Sequence, residues 1–101
     1  MARLIVLYKT PKDAAAFDRH YAATHIPLAK KIPGLRKYEI SQGPVVNPAG
    51  GSGVHLVATL HFDDMAAIQK AFASAEGQAA AADVQNNLGS ADMFVFENRE
   101  V

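Results

Sequence analysis

Val54-His55-Leu56-Val57-Ala58-Thr59-Leu60-His61-Phe62 is the stretch that decides the fold. Val54, Leu56, Ala58, Leu60 and Phe62 are all apolar, whereas the residues between them, His55, Val57, Thr59 and His61, are mixed. A period of two marks a β-strand, because successive side chains of a strand point to opposite faces. The apolar face is expected to pack on helices. The mixed face is expected to look into water, a cavity or another subunit.

Downstream, Asp63 or Asp64 is placed to cap a helix carrying Met65, Ile68 and Phe72 on one side. Ser74 is placed to cap a further helix from Glu76, with Ala80, Val84 and Leu88 aligned and Gly89 as its stop. Met93–Glu97 reads as a last strand, with Phe94 and Phe96 on one face. Upstream, the Gly- and Pro-rich connection from Gly43 to Gly53 reads as a mobile loop that would serve as a lid. Leu35–Gln42 before it alternates as a strand, with Arg36, Tyr38 and Ile40 pointing one way.

Leu4–Tyr8 is a continuous apolar run, which suits a central strand covered on both faces. Thr10-Pro11-Lys12-Asp13 then reads as a helix start, with Thr10 as the cap and Pro11 in the first turn. Ala14, Phe17 and Tyr21 share a face of that helix. Pro27 restricts Ile26 and lacks a donor, so the helix is expected to end near Thr24–Ile26. A short helical piece from Leu28 to Lys31 follows, and Pro33-Gly34 stops it.

The order is strand, helix, strand, strand, helix, strand. That is the α+β split βαβ, or ferredoxin-like, arrangement: two main helices, each with a short extra one, on one face of a four-stranded antiparallel sheet. Residues 1–101 are expected to form one domain. The other sheet face is left bare, and its apolar, His and Thr side chains imply that a homodimer buries it.

Composition narrows the function. The chain has no cysteine, which excludes disulfides, thiolate metal sites and a cysteine nucleophile. Its net charge is zero, which argues against nucleic acid as a partner. No apolar run is long enough for a membrane span, and Met1-Ala2-Arg3 enters a strand rather than a signal peptide, so a cytoplasmic location is expected. Residues 1–50 carry eight basic and three acidic side chains, whereas residues 51–101 carry two and seven. That split favours a mildly anionic or oxygen-rich ligand near the first half over a cationic one.

His25 is the leading candidate for chemistry, since imidazole both gives and takes protons near neutral pH. The other reading has its ring bonding carbonyls at the helix end. Tyr38 is a candidate to hold a substrate oxygen or, alternatively, a packed aromatic. Tyr8 and Tyr21 are candidates to line a pocket, Tyr21 also suiting the core one turn after Phe17. His55, Thr59 and His61 share a strand face and are candidates to orient a substrate. The two histidines stand about 20 Å apart, too far to bind one metal ion. His20 and His25 are separated by about 140° on an α-helix, a poor pair for sharing a ligand. No metal site and no cofactor are expected. Gly50-Gly51-Ser52-Gly53 precedes a strand instead of linking a strand to a helix, so it does not read as a phosphate loop.

The chain also resembles the EthD family, whose name comes from an ether-degradation gene cluster. The resemblance rests on Tyr21-Ala22-Ala23-Thr24-His25-Ile26-Pro27-Leu28 and Pro33-Gly34-Leu35-Arg36-Lys37-Tyr38. It is carried further by Phe17–His20, Phe62-Asp63-Asp64 and Phe72–Gly77. It implies a dimeric α/β barrel, two sheets facing each other across a dimer with a pocket in each half, and His25 facing that pocket. It further implies a cofactor-independent isomerase, cyclase or monooxygenase acting on a small hydrophobic carbonyl, lactone or aromatic compound. The alternatives are a non-catalytic ligand-binding subunit of such a pathway, and a structural dimer with a filled interior.

Overall fold

A computed structural model describes residues 1–101. The chain runs β1 (Ala2–Lys9), α1 (Ala14–His20), a π-helical turn (Tyr21–His25), α2 (Ile26–Lys30) and β2 (Lys37–Ile40). It continues through β3 (Val46–Asn47), β4 (Gly50–Gly51), β5 (Val54–Phe62), α3 (Met65–Ala73), α4 (Ala75–Asn87) and β6 (Ala91–Glu97). The sheet order is β2-β5-β1-β6 with every neighbouring pair antiparallel. This is the ferredoxin-like arrangement that the order of elements implies.

β5 spans the nine residues whose alternation identifies it, and Leu56, Ala58, Leu60 and Phe62 are buried under the helices. β1 contributes Ala2, Leu4, Val6 and Tyr8 to the same layer. Together with Phe17, Tyr21, Ile68, Ala71, Val84 and Leu88 these residues make a continuous core of 14 side chains. Each fully buried large side chain there is worth about 1.5–3 kcal/mol relative to exposure. β1 departs from the expectation in one respect: within one chain, helices cover only one of its faces. Ile5 and Leu7 lie on the opposite side and are half-buried.

The first helix starts later and ends later than its sequence suggests. Asp13, not Thr10, is the cap, its Oδ1 accepting from the Ala16 amide at 3.1 Å. Thr10 is still tied to the sheet, because its amide donates to the Gly53 carbonyl at 3.2 Å. Pro27 does not end the helix either. A proline within a helix clashes with the carbonyl four residues back. Here the preceding turn is widened by one residue, with the Ile26 amide donating to the Tyr21 carbonyl, and the chain continues into α2.

The Gly43–Gly53 connection contains a short two-stranded ribbon instead of being irregular throughout. Val46 pairs with Gly51 and Asn47 with Gly50, and Ser52 Oγ donates to the Val45 carbonyl at 2.7 Å. α3 is capped by Asp64 and α4 by Ser74. Ile68 and Ala71 are the buried residues of α3, whereas Phe72 is 44% exposed. The corner between α3 and α4 requires Gly77: a Cβ there would stand 1.8 Å from the Ala71 carbonyl oxygen. No helix is long and apolar enough to cross a membrane.

The helix-free face of the sheet carries cross-strand rows. One row is Lys37, His61, Arg3 and Phe96; the next is Glu39, Thr59, Ile5 and Phe94. Phe94 and Phe96 are 53% and 43% exposed.

Candidate functional site

A cavity lies between the helix-covered face of the sheet and the helices. Its volume is about 50 Å³. Sixteen of its 18 lining residues are hydrophobic. The interior is therefore not completely filled. Phe72 and Met93, each 44% exposed, stand at its rim.

The chain has three tyrosines, and all three reach this cavity with His25. Tyr8 comes from β1, Tyr21 and His25 from the π turn, and Tyr38 from β2. Register explains Tyr38: it pairs with Leu60, so it shares the helix-covered face and not the bare one. The widened turn keeps Tyr21 and His25 on one side of the helix, with ring centroids 5.0 Å apart. Tyr8 stands edge-on to Phe17 and Tyr21, each at 5.5 Å.

Two polar contacts organise the cavity. His25 Nε2 lies 3.5 Å from the Tyr8 hydroxyl, and the Tyr21 and Tyr38 hydroxyls hydrogen-bond each other. Burial pushes all three phenols above the ordinary tyrosine value, so they stay protonated at neutral pH. Burial also lowers the His25 pKa, outweighing the upward pull of Asp83. The imidazole is thus neutral at pH 7 and able to accept a proton.

A further group, Asp83, which no motif of the sequence marks, backs His25. It sits on α4 beside the buried Ala80 and Val84 and is only 7% exposed. Its Oδ2 is 2.9 Å from His25 Nδ1, and its Oδ1 is 2.7 Å from His20 Nε2 and 2.8 Å from Asn87 Nδ2. Burial raises the Asp83 pKa, but hydrogen bonds from Asn87, His20 and His25 more than offset this and leave it below the ordinary carboxylate value. An acid beside an apolar helical stripe was the available signal, since a buried charge needs partners. The expectation that His20 and His25 are badly placed to share a ligand assumed a regular α-helix. The extra residue in the π turn brings both rings to one carboxylate.

The other three expected site residues do not join them. His61 and Thr59 lie on the bare sheet face, His61 Nε2 being 2.6 Å from Glu39 Oε1. His55 leaves their face altogether. The register of β1 and β5 slips between Tyr8 and Lys9, which makes His55 the extra residue of a bulge. Its ring stands edge-on to Phe17 at 5.1 Å and its Nε2 is 2.8 Å from Asp18 Oδ1. None of the three lines the cavity, and no residue of the Gly43–Gly53 ribbon covers it. No Lys or Arg lines it either, so the positive charge of the first half does not reach the cavity. No group of three or more His, Cys, Asp or Glu is arranged to hold a metal ion.

Comparison with known proteins bears on the family and the fold. The EthD domain model matches residues 9–89. An uncharacterised 11.0 kDa protein from the thcB–thcC intergenic region of Rhodococcus erythropolis is 35% identical over 100 residues, spanning 99% of this chain and 96% of that one. The crystal structure of an EthD family protein from Bacillus halodurans superposes with a TM-score of 0.91 at 37% identity, covering 98% of this chain and 99% of that one. The fold alone is shared with SnoaB, a cofactor-independent oxygenase from Streptomyces nogalater, at a TM-score of 0.68 and 17% identity, over 99% and 94% of the two chains.

Proposed function

The chain belongs to the EthD family, and from that premise we propose that it is a homodimeric, cofactor-independent enzyme moving a proton next to the carbonyl of a small hydrophobic compound. The observation that carries this reading is the neutral His25 backed by Asp83 on one nitrogen and open to an apolar, tyrosine-lined cavity on the other. His25 Nε2 takes the proton from the carbon beside the carbonyl. The electron pair of that bond moves onto the carbonyl oxygen, which accepts a hydrogen bond from the Tyr38 or Tyr21 hydroxyl. Return of the proton from His25 to a different carbon, or to the same one, completes an isomerisation or an exchange. Proton acceptors and oxyanion donors of this kind supply rate without a cofactor. A neutral oxygen function suits the lining better than a full anion, because the cavity offers hydroxyl donors and no cation.

The bare sheet face supports the dimer. Ile5, Leu7, Val57, Phe94 and Phe96 make a contiguous apolar patch there, and exposed patches of this kind mark interaction surfaces. A two-fold axis would set this face against its copy.

Deuterium exchange tests the catalytic reading. The protein is incubated in heavy water with a panel of small apolar ketones and lactones, and loss of the proton beside the carbonyl is followed by NMR. Wild-type protein is expected to accelerate exchange for part of the panel, and His25→Gln to remove at least 100-fold of that acceleration, in line with a lost general base. Binding of panel members with no acceleration of exchange would overturn the enzyme and leave a ligand-binding subunit.

A further inference from the structure

We propose that His20, outside the cavity, is a positioning residue that fixes which nitrogen of His25 carries the proton. This rests on reading His25 as the proton acceptor, although the arrangement itself belongs to the resting protein.

A neutral imidazole has one N–H and one lone pair, and the partner of one nitrogen decides the role of the other. With Asp83 Oδ2 at 2.9 Å, His25 Nδ1 is the donor, and Nε2 presents its lone pair to the Tyr8 hydroxyl and the cavity. The reverse tautomer would set a lone pair against a carboxylate. The preference holds only while the carboxylate stays in place, and the terminal torsion of aspartate is a broad one. His20 and Asn87 hold it from the far side, both donating to Oδ1. Each oxygen is thereby committed: Oδ1 to the outer donors, Oδ2 to His25.

Exposure separates the two histidines. The His20 side chain is 30% exposed, whereas those of Asp83 and His25 are 6% exposed. His20 does not line the cavity, so it has no route to a ligand except through Asp83. Its Nε2 nevertheless makes the shortest contact of the three on that carboxylate. Second-layer partners of this kind set ring orientation and tautomer wherever a histidine must offer one nitrogen to chemistry.

Tautomer-resolved nitrogen NMR of the imidazoles in the ligand-free full chain tests this directly. Wild type is expected to show His25 as a single Nδ1–H species at pH 7.5 or above. In His20→Ala that species is expected to be lost to a mixture, with the Nε2 resonance moving toward the protonated range. His20→Gln, whose amide is a donor of similar reach, is expected to restore the single species. An unchanged Nδ1–H species in His20→Ala would overturn the assignment. Should His20→Ala fail to fold, His20→Phe keeps a ring without a donor and is read the same way. The measurement uses no substrate. A wild-type protein that fails to exchange protons on any carbonyl compound therefore counts against the enzyme and leaves the His20 result standing.

Discussion

Asp83 Oδ2 and His25 Nδ1 meet at 2.9 Å although 58 residues of chain separate them. The contact joins α4 to the π turn across the end of the core, and it makes the candidate site depend on tertiary packing. Asp83→Ala strands two imidazoles and an amide at once. Hydrogen bonds to a charged group contribute about 1.5–3 kcal/mol each, so a total loss of about 3 kcal/mol or more is expected. Urea denaturation measures it, and Asp64→Ala at the α3 cap, with an expected cost of about 1 kcal/mol, is the comparison.

Acid should unfold the protein in two stages. Burial holds His25 below its ordinary value of 6.5, so the unfolded chain binds a proton that the folded one refuses. Stability from this source is fully present above 6.5 and is lost as pH falls from there toward the lower folded value. Asp83 has the usual carboxylate sign: its contribution is present above the ordinary 3.8 and disappears as pH falls through its depressed folded value. Denaturation midpoints between pH 8 and pH 2 are expected to decline in wild type, and His25→Gln to flatten the upper part of that decline.

Phenolate absorbance offers an unusually clean titration, because the chain has three tyrosines, all in the cavity, and no tryptophan. All three are held above their ordinary value of 10.0. Little phenolate is expected at pH 10 in the folded protein. Its appearance at higher pH should coincide with loss of helical circular dichroism. A tyrosine that ionises at or below pH 10 while the helices remain intact would contradict the sealed arrangement.

Gly77→Ala is expected to be among the most damaging single substitutions. Its Cβ would lie 1.8 Å from the Ala71 carbonyl oxygen and 2.8 Å from the carbonyl carbon, both backbone atoms. Helix propensity favours alanine by about 1 kcal/mol. Overpacking against backbone costs about 1–3 kcal/mol or more, so the net change is destabilising. Thermal unfolding reads the difference.

Val57→Asp tests the dimer. Val57 points to the bare face, opposite Leu7, and its replacement places a carboxylate amid apolar neighbours. Sedimentation is expected to give twice the chain mass for wild type and a single chain mass for the variant. Equal masses would remove the sheet face from consideration as the interface.

The strands and the caps of α3 and α4 are legible from local chemistry, whereas the first helix takes Asp13 and not Thr10 as its cap. β5 follows from a strict period of two, α4 from Ser74 and Gly89, and α3 from Asp64. His25 and the cavity tyrosines can be singled out for the same reason, since each is an unusual residue in an apolar pattern. Other features depend on hydrogen bonds that no local pattern announces. One added residue per turn at Tyr21–His25 pairs His20 with Asp83, and one slipped residue in β5 turns His55 toward Phe17. Asp83 is legible only as an acid near an apolar stripe, because its two histidine partners lie far away in the sequence, on α1 and the π turn.

The widened turn has a consequence for how this protein can vary. If the same residues closed into a regular α-helix, one flank would turn by about 100° relative to the other. His20 and His25 would then face different directions, and no adjustment of side-chain size would bring both back to Asp83. The width of this turn is therefore an all-or-none property: substitutions at the side chains can grade the strength of the site, whereas tightening the turn at its present length would abolish the geometry in one step.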